Sequence, residues 1–334
     1  MRIVSLFRSN LIGAALSESA VVNAAPPSSA TWYADYLRDA RQVAIGHDRS
    51  LNLYCIGSGS PTVILESGLG GYAFDWWAVQ GGIASFTRVC AYDRAGMGMS
   101  PPGPFPRDTN AHVADLEALL KAAELRPPYV LVGHSMGAYT VRVFASRHRR
   151  DVAGIVFVDP SIENQLAEIY AALPNIAESD NRSRSRIAAC ADPARTAEIA
   201  EDCARATPNG FTPALADAFA RTQGLASSQA FESEAQSFTT RDSPEVIAAS
   251  RHLGTMPMIV LTRTELSTNM TKDQAELEWK LWNGMHDRLA KLSSIGVNRP
   301  VPGAGHYIQL DKPDAVIRAV SEVVATERRT KARR

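Results

Sequence analysis

The sequence predicts an α/β protein in which a mostly parallel, doubly wound sheet carries a helical insertion. The composition is 45% hydrophobic and 21% charged, which suits a chain that buries a large core. Short apolar runs of strand length alternate with segments of helical periodicity, an order typical of parallel sheets. Between residues 161 and 251 the strand-like runs stop, and a segment rich in Ala, Ser, Asp, Glu and Arg predicts several short helices.

The first half of the chain supplies most of the predicted sheet. Residues 42–59 alternate and turn at the letters HDRS, which indicates an antiparallel hairpin. Strands are predicted at PTVILES, TRVCAYD, PYVLVGH and GIVFVDP, with helices between them at YAFDWWAVQGGIASF, TNAHVADLEALLKAAEL and MGAYTVRVFASRH. Helical crossovers of this kind leave successive strands parallel.

The pattern recovers after the insertion, with strands at MPMIVLT and GVNRPVPG and helices over residues 273–292 and at KPDAVIRAVSEVVATE. The predicted core therefore comprises residues 31–160 and 252–328. Residues 161–251 form a helical cap, long enough to cover the carboxyl edge of the strands. Residues 329–334 form a basic tail that we expect to be solvated.

The charge of the chain argues against several classes of partner. Lys plus Arg and Asp plus Glu both number 35, so no basic field exists to attract nucleic acid or an anionic membrane. No stretch beyond the first residues is long and apolar enough to span a bilayer. We therefore expect a small-molecule substrate, no nucleic-acid partner and no integral membrane segment.

Residues 1–25 have the features of an export signal. Arg2 and Arg8 lie early, LIGAAL forms a short apolar core, and VNAAPP offers small residues for cleavage near Ala24 or Ala25. A secreted or periplasmic location is the favoured interpretation. Because charged residues interrupt the apolar run, a cytoplasmic extension stays open as the alternative.

The four cysteines suit either disulfides in an oxidising compartment or buried thiols in a reducing one. Cys190 and Cys203 lie in one polar segment, where a bridge would close a short loop, and Cys55 and Cys90 lie in predicted strands. The chain has no CxxC motif and no Cys/His cluster at metal spacing, so we expect neither a zinc site nor a cofactor.

The letters GHSMG at residues 133–137 lie where a predicted strand turns directly into a predicted helix. Gly-x-Ser-x-Gly at such a junction is the pattern of a nucleophile elbow, in which the corner residue is strained and only glycines fit beside it. Ser135 is therefore the predicted nucleophile. An ordinary strand-to-helix turn that happens to contain a serine and two glycines is the alternative.

A serine hydroxyl is a poor nucleophile at neutral pH, so the hypothesis requires a base held by an acid. Among the seven histidines, His306 in VPGAGHYIQLDKP directly follows a predicted strand and can reach the carboxyl edge. The acid should end a strand between Ser135 and His306, which leaves Asp159 and Glu265. Asp159 is favoured because Pro160 stiffens the chain beside it, whereas Glu265 lies three residues beyond its strand.

Acyl transfer also needs donors for the negatively charged oxygen of the intermediate. The first is the Met136 N–H, at the start of the helix that follows Ser135. The second is expected from the loop GLGG at residues 68–71, where Leu69 is the predicted donor.

The same loop supports a competing interpretation. Gly68, Gly70 and Ala73 form G-x-G-x-x-A after a strand. Asp93 follows about 20 residues further along the chain, as in dinucleotide-binding proteins. A nicotinamide-dependent oxidoreductase would leave the elbow and His306 without a role, so it stays the remote alternative.

With these residues in place, the chain resembles the α/β-hydrolase superfamily over about residues 42–327. YDRAGMGMS resembles the turn after the fourth strand of that superfamily, GHSMG its elbow, and GAGHYIQLDKP its histidine loop. The resemblance implies an eight-stranded, mostly parallel sheet with a helical cap after the sixth strand. It implies a triad and two oxyanion donors: Ser135, His306 and either Asp159 or Glu265, with Leu69 and Met136.

The chain departs from the superfamily in the position of the acid. Many members carry an aspartate after the seventh strand, where this chain has TRTELS, and this departure supports Asp159, a placement seen in part of the superfamily. In members of similar sheet order the strands of Cys55 and Cys90 are neighbours. The resemblance therefore implies a disulfide between these two residues.

The predicted function is cofactor-free hydrolysis of a carboxylic ester through an acyl-enzyme. A serine in the elbow argues against haloalkane dehalogenases and epoxide hydrolases, which need a carboxylate there. Hydrolysis of amides or peptides, lactones or C–C bonds stays open because the same triad serves each, and a non-catalytic receptor is a further alternative. The aromatic residues of the cap predict a substrate with an apolar acyl or alkyl group. These residues are Phe211, Phe219, Phe231, Phe238 and Tyr170.

Overall fold

A computed structural model describes residues 28–203, 212–249, 252–268 and 270–332 of the chain. Within these residues one eight-stranded sheet is covered by helices on both faces. The predicted export signal and Phe211 lie outside the described residues, as do the last two residues of the predicted basic tail.

The sheet has the order β1-β2-β4-β3-β5-β6-β7-β8. Its strands are β1 (Arg41–Gly46), β2 (Arg49–Ile56), β3 (Thr62–Glu66), β4 (Val89–Tyr92), β5 (Tyr129–His134), β6 (Val152–Val158), β7 (Met258–Arg263) and β8 (Val297–Val301). The pairs β1–β2 and β2–β4 are antiparallel, and all other pairs are parallel. The predicted mostly parallel sheet and its amino-terminal hairpin are confirmed.

The described helices fall into two groups. The core carries α1 (Ser29–Asp39), α2 (Trp77–Ala84), α3 (Thr109–Ala122), α4 (Gly137–Arg147), α11 (Lys272–Ala290), α12 (Ile308–Asp311) and α13 (Pro313–Ala332). Between β6 and β7 the chain forms α5 (Gln165–Ala172), α6 (Pro174–Ala191), α7 (Ala197–Asp202), α8 (Pro213–Arg221), α9 (Leu225–Thr240) and α10 (Asp242–Ala249). We call this second group the insertion; its described residues include no strand. No described helix is long and apolar enough to cross a bilayer.

Both faces of the sheet are covered, which explains the continuous apolar letters of its central strands. All six residues of β5 are buried. Leu131 belongs to the same buried cluster as Leu116 of α3, whereas Val130 and Val132 belong to the cluster that contains Val320 of α13. Because side chains alternate across a strand, one apolar run contributes to two cores.

Three local features differ from the sequence expectations. Helix α1, which the sequence pattern did not indicate, buries Trp32 and Tyr36 against the core. The helix expected at YAFDWWAVQGGIASF begins as a 3-10 helix, Ala73–Trp76, before α2. Helix α13 continues to residue 332 with an exposed end, so part of the expected tail is helical.

Two disulfides join the four cysteines. Cys55 and Cys90 are direct partners in the antiparallel β2–β4 register and form the bridge that the resemblance implied. Cys190 and Cys203 connect the end of α6 to the end of α7.

Candidate active site

Ser135 occupies the corner between β5 and α4. Its φ is 49°, in the left-handed region that non-glycine residues rarely adopt. A Cβ on Gly137 would lie 2.5 Å from the Ser67 carbonyl oxygen, and a Cβ on Gly133 would lie 3.0 Å from Val141 Cγ2. The strained corner therefore requires small neighbours, and it leaves the Ser135 side chain partly exposed.

His306 reaches Ser135 from the loop between β8 and α12. Its Nε2 lies 3.0 Å from Ser135 Oγ, within hydrogen-bond distance. Gly303 in this loop has φ 67°, and the Gly305 N–H donates to Asp311 Oδ2 at 2.8 Å, which closes the loop on the short helix α12. The loop thus brings together two residues that are far apart in sequence.

Asp159 lies on the other side of the imidazole. His306 Nδ1 is 2.6 Å from Asp159 Oδ2, and the side chain of Asp159 is fully buried at the end of β6. Glu265, the alternative acid, is exposed, and among the described residues it forms no hydrogen bond with His306. Of the two acids that the sequence left open, the structure brings Asp159 to the histidine.

Two residues that the sequence did not assign hold the Asp159 carboxylate. The Arg263 backbone N–H and the Trp282 indole N–H donate to Oδ1 at 3.0 and 2.8 Å. The Arg263 guanidinium lies 3.6 Å from Oδ2. No local signal could have revealed the Trp282 contact, because it joins a helix to a strand end 123 positions away.

The surroundings keep Asp159 ionised. Burial acts to raise the pKa of Asp159, but the hydrogen bond from His306 and the nearby positive charges outweigh it and lower this pKa to about 2. An ionised Asp159 accepts a hydrogen bond from the Nδ1–H group of His306. The lone pair of His306 Nε2 then faces the Ser135 hydroxyl. This is the protonation state that a general base needs.

His134, next to the nucleophile, supports the histidine loop. Its Nε2 lies 3.0 Å from the His306 carbonyl oxygen, to which it donates. Burial, together with the neighbouring His306, lowers the pKa of His134 to about 3. His134 is therefore neutral at physiological pH, with its single proton used in this bond.

The loop at residues 68–71, which we call the oxyanion loop after its predicted role, lies against Ser135. A Cβ on Gly68 would be 3.1 Å from Ser135 Cβ, and the Gly71 N–H donates to the Gly68 carbonyl at 3.0 Å, which closes a turn. Within the described ranges, neither the Leu69 N–H nor the Met136 N–H donates to another protein group. Both N–H groups that the sequence predicts as oxyanion donors therefore lack a protein acceptor within the described residues.

The dinucleotide interpretation finds no support at Asp93. This carboxylate is fully buried and accepts the Ala73 N–H at 2.8 Å and the Met99 N–H at 2.9 Å. Asn52 and Tyr36 also donate to it. Because Asp93 is fully buried and the chain donates to both of its carboxylate oxygens, it is not accessible to a ribose hydroxyl.

Comparison with known proteins identifies the family. The model of the alpha/beta hydrolase family matches residues 63–319 of the chain. The chain belongs to the alpha/beta hydrolase family. This confirms the superfamily that the motifs indicated and makes the protein an enzyme of the hydrolase class.

The chain is similar to one uncharacterized protein and to the structures of an esterase and an epoxide hydrolase. It is 26% identical to YqjL of Bacillus subtilis (strain 168) over 267 residues, which cover 80% of this chain and 85% of YqjL. It is similar to a thermophilic esterase from Thermogutta terrifontis, with 20% identity, a TM-score of 0.59 and coverage of 86% and 99% of the two chains. It is also similar to the epoxide hydrolase CorEH, with 18% identity, a TM-score of 0.57 and coverage of 86% and 98%. The two structural likenesses concern the fold alone.

Proposed function

We propose that this alpha/beta hydrolase cleaves a carboxylic ester through an acyl-enzyme intermediate. The observation that carries the proposal is the continuous hydrogen-bonded series from Ser135 Oγ through His306 to Asp159, with distances of 3.0 and 2.6 Å. The available N–H groups of Leu69 and Met136 beside the serine add to its support.

In the proposed reaction, Ser135 Oγ attacks the ester carbonyl while His306 Nε2 takes the hydroxyl proton. The carbonyl oxygen becomes an oxyanion that accepts hydrogen bonds from the Leu69 and Met136 N–H groups. The intermediate collapses, the C–O bond to the alcohol breaks, and His306 returns the proton to the departing oxygen. Water then attacks the acyl-enzyme with the same assistance and releases the acid and Ser135.

In this reaction, Asp159 holds the imidazole in one tautomer and stabilises the imidazolium that forms. Its low pKa supports this role, because the carboxylate stays ionised through the whole working range of pH. Trp282 and the Arg263 N–H fix the orientation of the carboxylate rather than contact the substrate.

The identity of the elbow residue favours an ester over an epoxide. Formation of an alkyl-enzyme requires a carboxylate nucleophile, and this chain has the Ser135 hydroxyl at the corner. The similarity to an epoxide hydrolase fold therefore does not carry that activity to this chain.

An apolar acyl or alkyl group is the proposed substrate feature. Phe231 of α9 lies over the oxyanion loop, where a Cβ on Gly70 would be 2.8 Å from its ring, and Phe238 stacks on Tyr139 of α4. The contact of the Phe231 ring with the oxyanion loop supports an apolar guest. Comparable rates on acetate and decanoate esters would count against this feature.

We also propose that the protein acts outside the cytoplasm. The two disulfides support an oxidising compartment, since such bonds rarely persist among cytosolic proteins. Fractionation with amino-terminal sequencing of the mature protein tests this proposal, and a full-length chain in the cytosol with four free thiols would contradict it.

Purified protein tests the function with a panel of p-nitrophenyl esters, amides and lactones, together with a fluorophosphonate probe. We expect ester turnover and labelling that both disappear in Ser135→Ala. Asp159→Asn should lower kcat by about 10⁴-fold, whereas the matched control Glu265→Gln should stay within about 2-fold. Turnover confined to amides or lactones would redirect the proposal, and the absence of both turnover and labelling would overturn it.

A further inference from the structure

The insertion contributes a buried carboxylate to the oxyanion loop. Glu234 of α9 accepts the Gly70 N–H at its Oε2, over a distance of 2.9 Å. Its side chain is fully buried, and Phe231, one turn earlier on α9, packs against the same glycine. A helix of the insertion thus contacts the loop that carries one of the two oxyanion donors.

Arg94 holds the other side of the same loop. Its guanidinium donates to the carbonyl oxygens of Gly68 and Ser67 at 2.6 and 2.7 Å. It also pairs with Glu66 at 2.8 Å and with Glu234 at 2.7 Å, and all three charged side chains are buried. Arg94 therefore connects the end of β3, the oxyanion loop and the insertion.

These bonds determine the direction of the Leu69 N–H. In a trans peptide the C=O and N–H groups point in opposite directions. The peptide between Gly68 and Leu69 has its carbonyl on Arg94, so the Leu69 N–H must point away from Arg94. The next peptide has its Gly70 N–H on Glu234, which fixes its orientation as well.

Stability alone does not explain this cluster. Two carboxylates and one guanidinium removed from water lose much of their hydration, and apolar residues of similar size often stabilise a protein as well or better. The charge of Arg94, with a contribution from His112, nevertheless outweighs burial and lowers the pKa of Glu234 to about 2. The pair is therefore ionised and retains its geometry at neutral pH.

We propose that Arg94 and Glu234 are positioning residues that orient the Leu69 N–H for the oxyanion, so that the insertion is part of the catalytic apparatus. This inference rests on the proposed ester hydrolysis. Neither side chain contacts the reacting atoms; each acts through the backbone of the oxyanion loop.

Glu234→Gln tests the inference, with Ser233→Ala as the matched control. Glutamine has one acceptor oxygen where the carboxylate has two. With that oxygen in the place of Oε1, the Gly70 N–H loses its acceptor; with it in the place of Oε2, the amide NH2 group faces the Arg94 Nε–H donor, and both orientations lose the negative charge. Ser233 is the adjacent residue on α9, and its Oγ accepts the Arg107 N–H at 2.9 Å, away from the oxyanion loop. Both variants therefore alter a buried hydrogen bond between α9 and the core, but only Glu234→Gln affects the oxyanion loop.

We expect Glu234→Gln to lower kcat by about 10- to 100-fold on a p-nitrophenyl ester, with KM changed by less than about 3-fold. The inhibition constant of phenylboronic acid, which forms a tetrahedral adduct on the serine, should rise by a similar factor. Ser233→Ala should keep kcat within about 2-fold, even if its melting temperature falls as much as that of Glu234→Gln.

The outcomes separate this inference from the proposed function. Wild-type protein without Ser135-dependent turnover overturns both. Wild-type turnover with an unchanged kcat and boronate affinity in Glu234→Gln overturns the inference alone, as does an equal loss in Ser233→Ala. If Glu234→Gln does not fold, Glu234→Asp replaces it with the same expectations, because it keeps the charge but withdraws the carboxylate from Gly70 by one methylene.

Discussion

Two parts of the insertion differ in how they meet the core. The inner part, α9 and α10, is joined to it by buried polar groups: Glu234 binds the oxyanion loop, Ser233 accepts the Arg107 N–H, and Asp242 accepts the Thr109 N–H. The outer part, α6 and α7, has no buried residue, although α6 packs along α9. A disulfide, Cys190–Cys203, closes it instead.

A single insertion can therefore serve two purposes. Buried hydrogen bonds impose one geometry, because each group that lost its partner would stay unsatisfied away from water. Exposed helices have no such constraint, and a covalent bridge limits their movement without prescribing a surface. We therefore expect the inner part to control the chemistry, and the outer part to tolerate substitution.

The greatest loss of stability is expected from a substitution in the inner part. Glu234→Ala should lower the free energy of unfolding by about 3–5 kcal/mol, because it leaves the buried Arg94 with a single carboxylate partner. Glu178→Ala, an exposed change on α6, should stay within about 0.5 kcal/mol. Urea unfolding of both variants measures the contrast, and similar losses would erase the distinction between the two parts.

The second effect is the pH dependence of the same contact. The pKa of Glu234 is lowered from 4.5 to about 2 in the folded state, so its contribution is complete above pH 4.5 and is lost as the pH falls to 2. Wild-type protein should therefore lose about 3 kcal/mol more than Glu234→Gln across this window. Unfolding free energies at pH 6, 4 and 2 measure it, and parallel curves for the two proteins would contradict the assignment.

The third effect is local and concerns the disulfide of the outer part. Replacing Cys190 and Cys203 by serine releases a loop closed over 13 residues. Limited proteolysis between α6 and α7 should accelerate by about 10- to 100-fold, as local opening becomes easier. The kcat should stay within about 2-fold of wild type, and a collapse of kcat would show that the outer part also orders the site.

The smallest effect concerns a single exposed bond. Arg186 on α6 donates to the Asp202 carbonyl at the end of α7, and both residues are exposed. Arg186→Ala should change the free energy of unfolding by less than about 0.5 kcal/mol, because water replaces the lost bond. A fall in melting temperature of more than a few degrees would show that this exposed hydrogen bond contributes substantially to stability.

Local sequence was sufficient for the features that depend on neighbours along the chain. The elbow was predictable because a strand, a corner and a helix follow one another within a few residues, and the glycines beside Ser135 reflect contacts that leave no room for a side chain. The parallel sheet was predictable because its central strands are buried on both faces. Helix α1 was missed because its Trp32 and Tyr36 are buried only by distant residues.

The choice between Asp159 and Glu265 illustrates the other limit. Both acids end or follow a strand at the same edge, and the sequence could only favour one. The structure brings Asp159 to His306, and the Trp282 and Arg263 N–H groups donate to the other oxygen of the Asp159 carboxylate.

The order of the strands and of most core helices, the strained corner at Ser135 and the glycine-rich loops near it were predictable from the sequence alone, because these features depend on short-range sterics and periodicity. The residues that surround these features are set by tertiary packing. Glu234 lies 164 positions from Gly70, and His306 lies 171 positions from Ser135. No periodicity reports contacts over such separations, since they exist only when sheet and insertion pack around one shared edge.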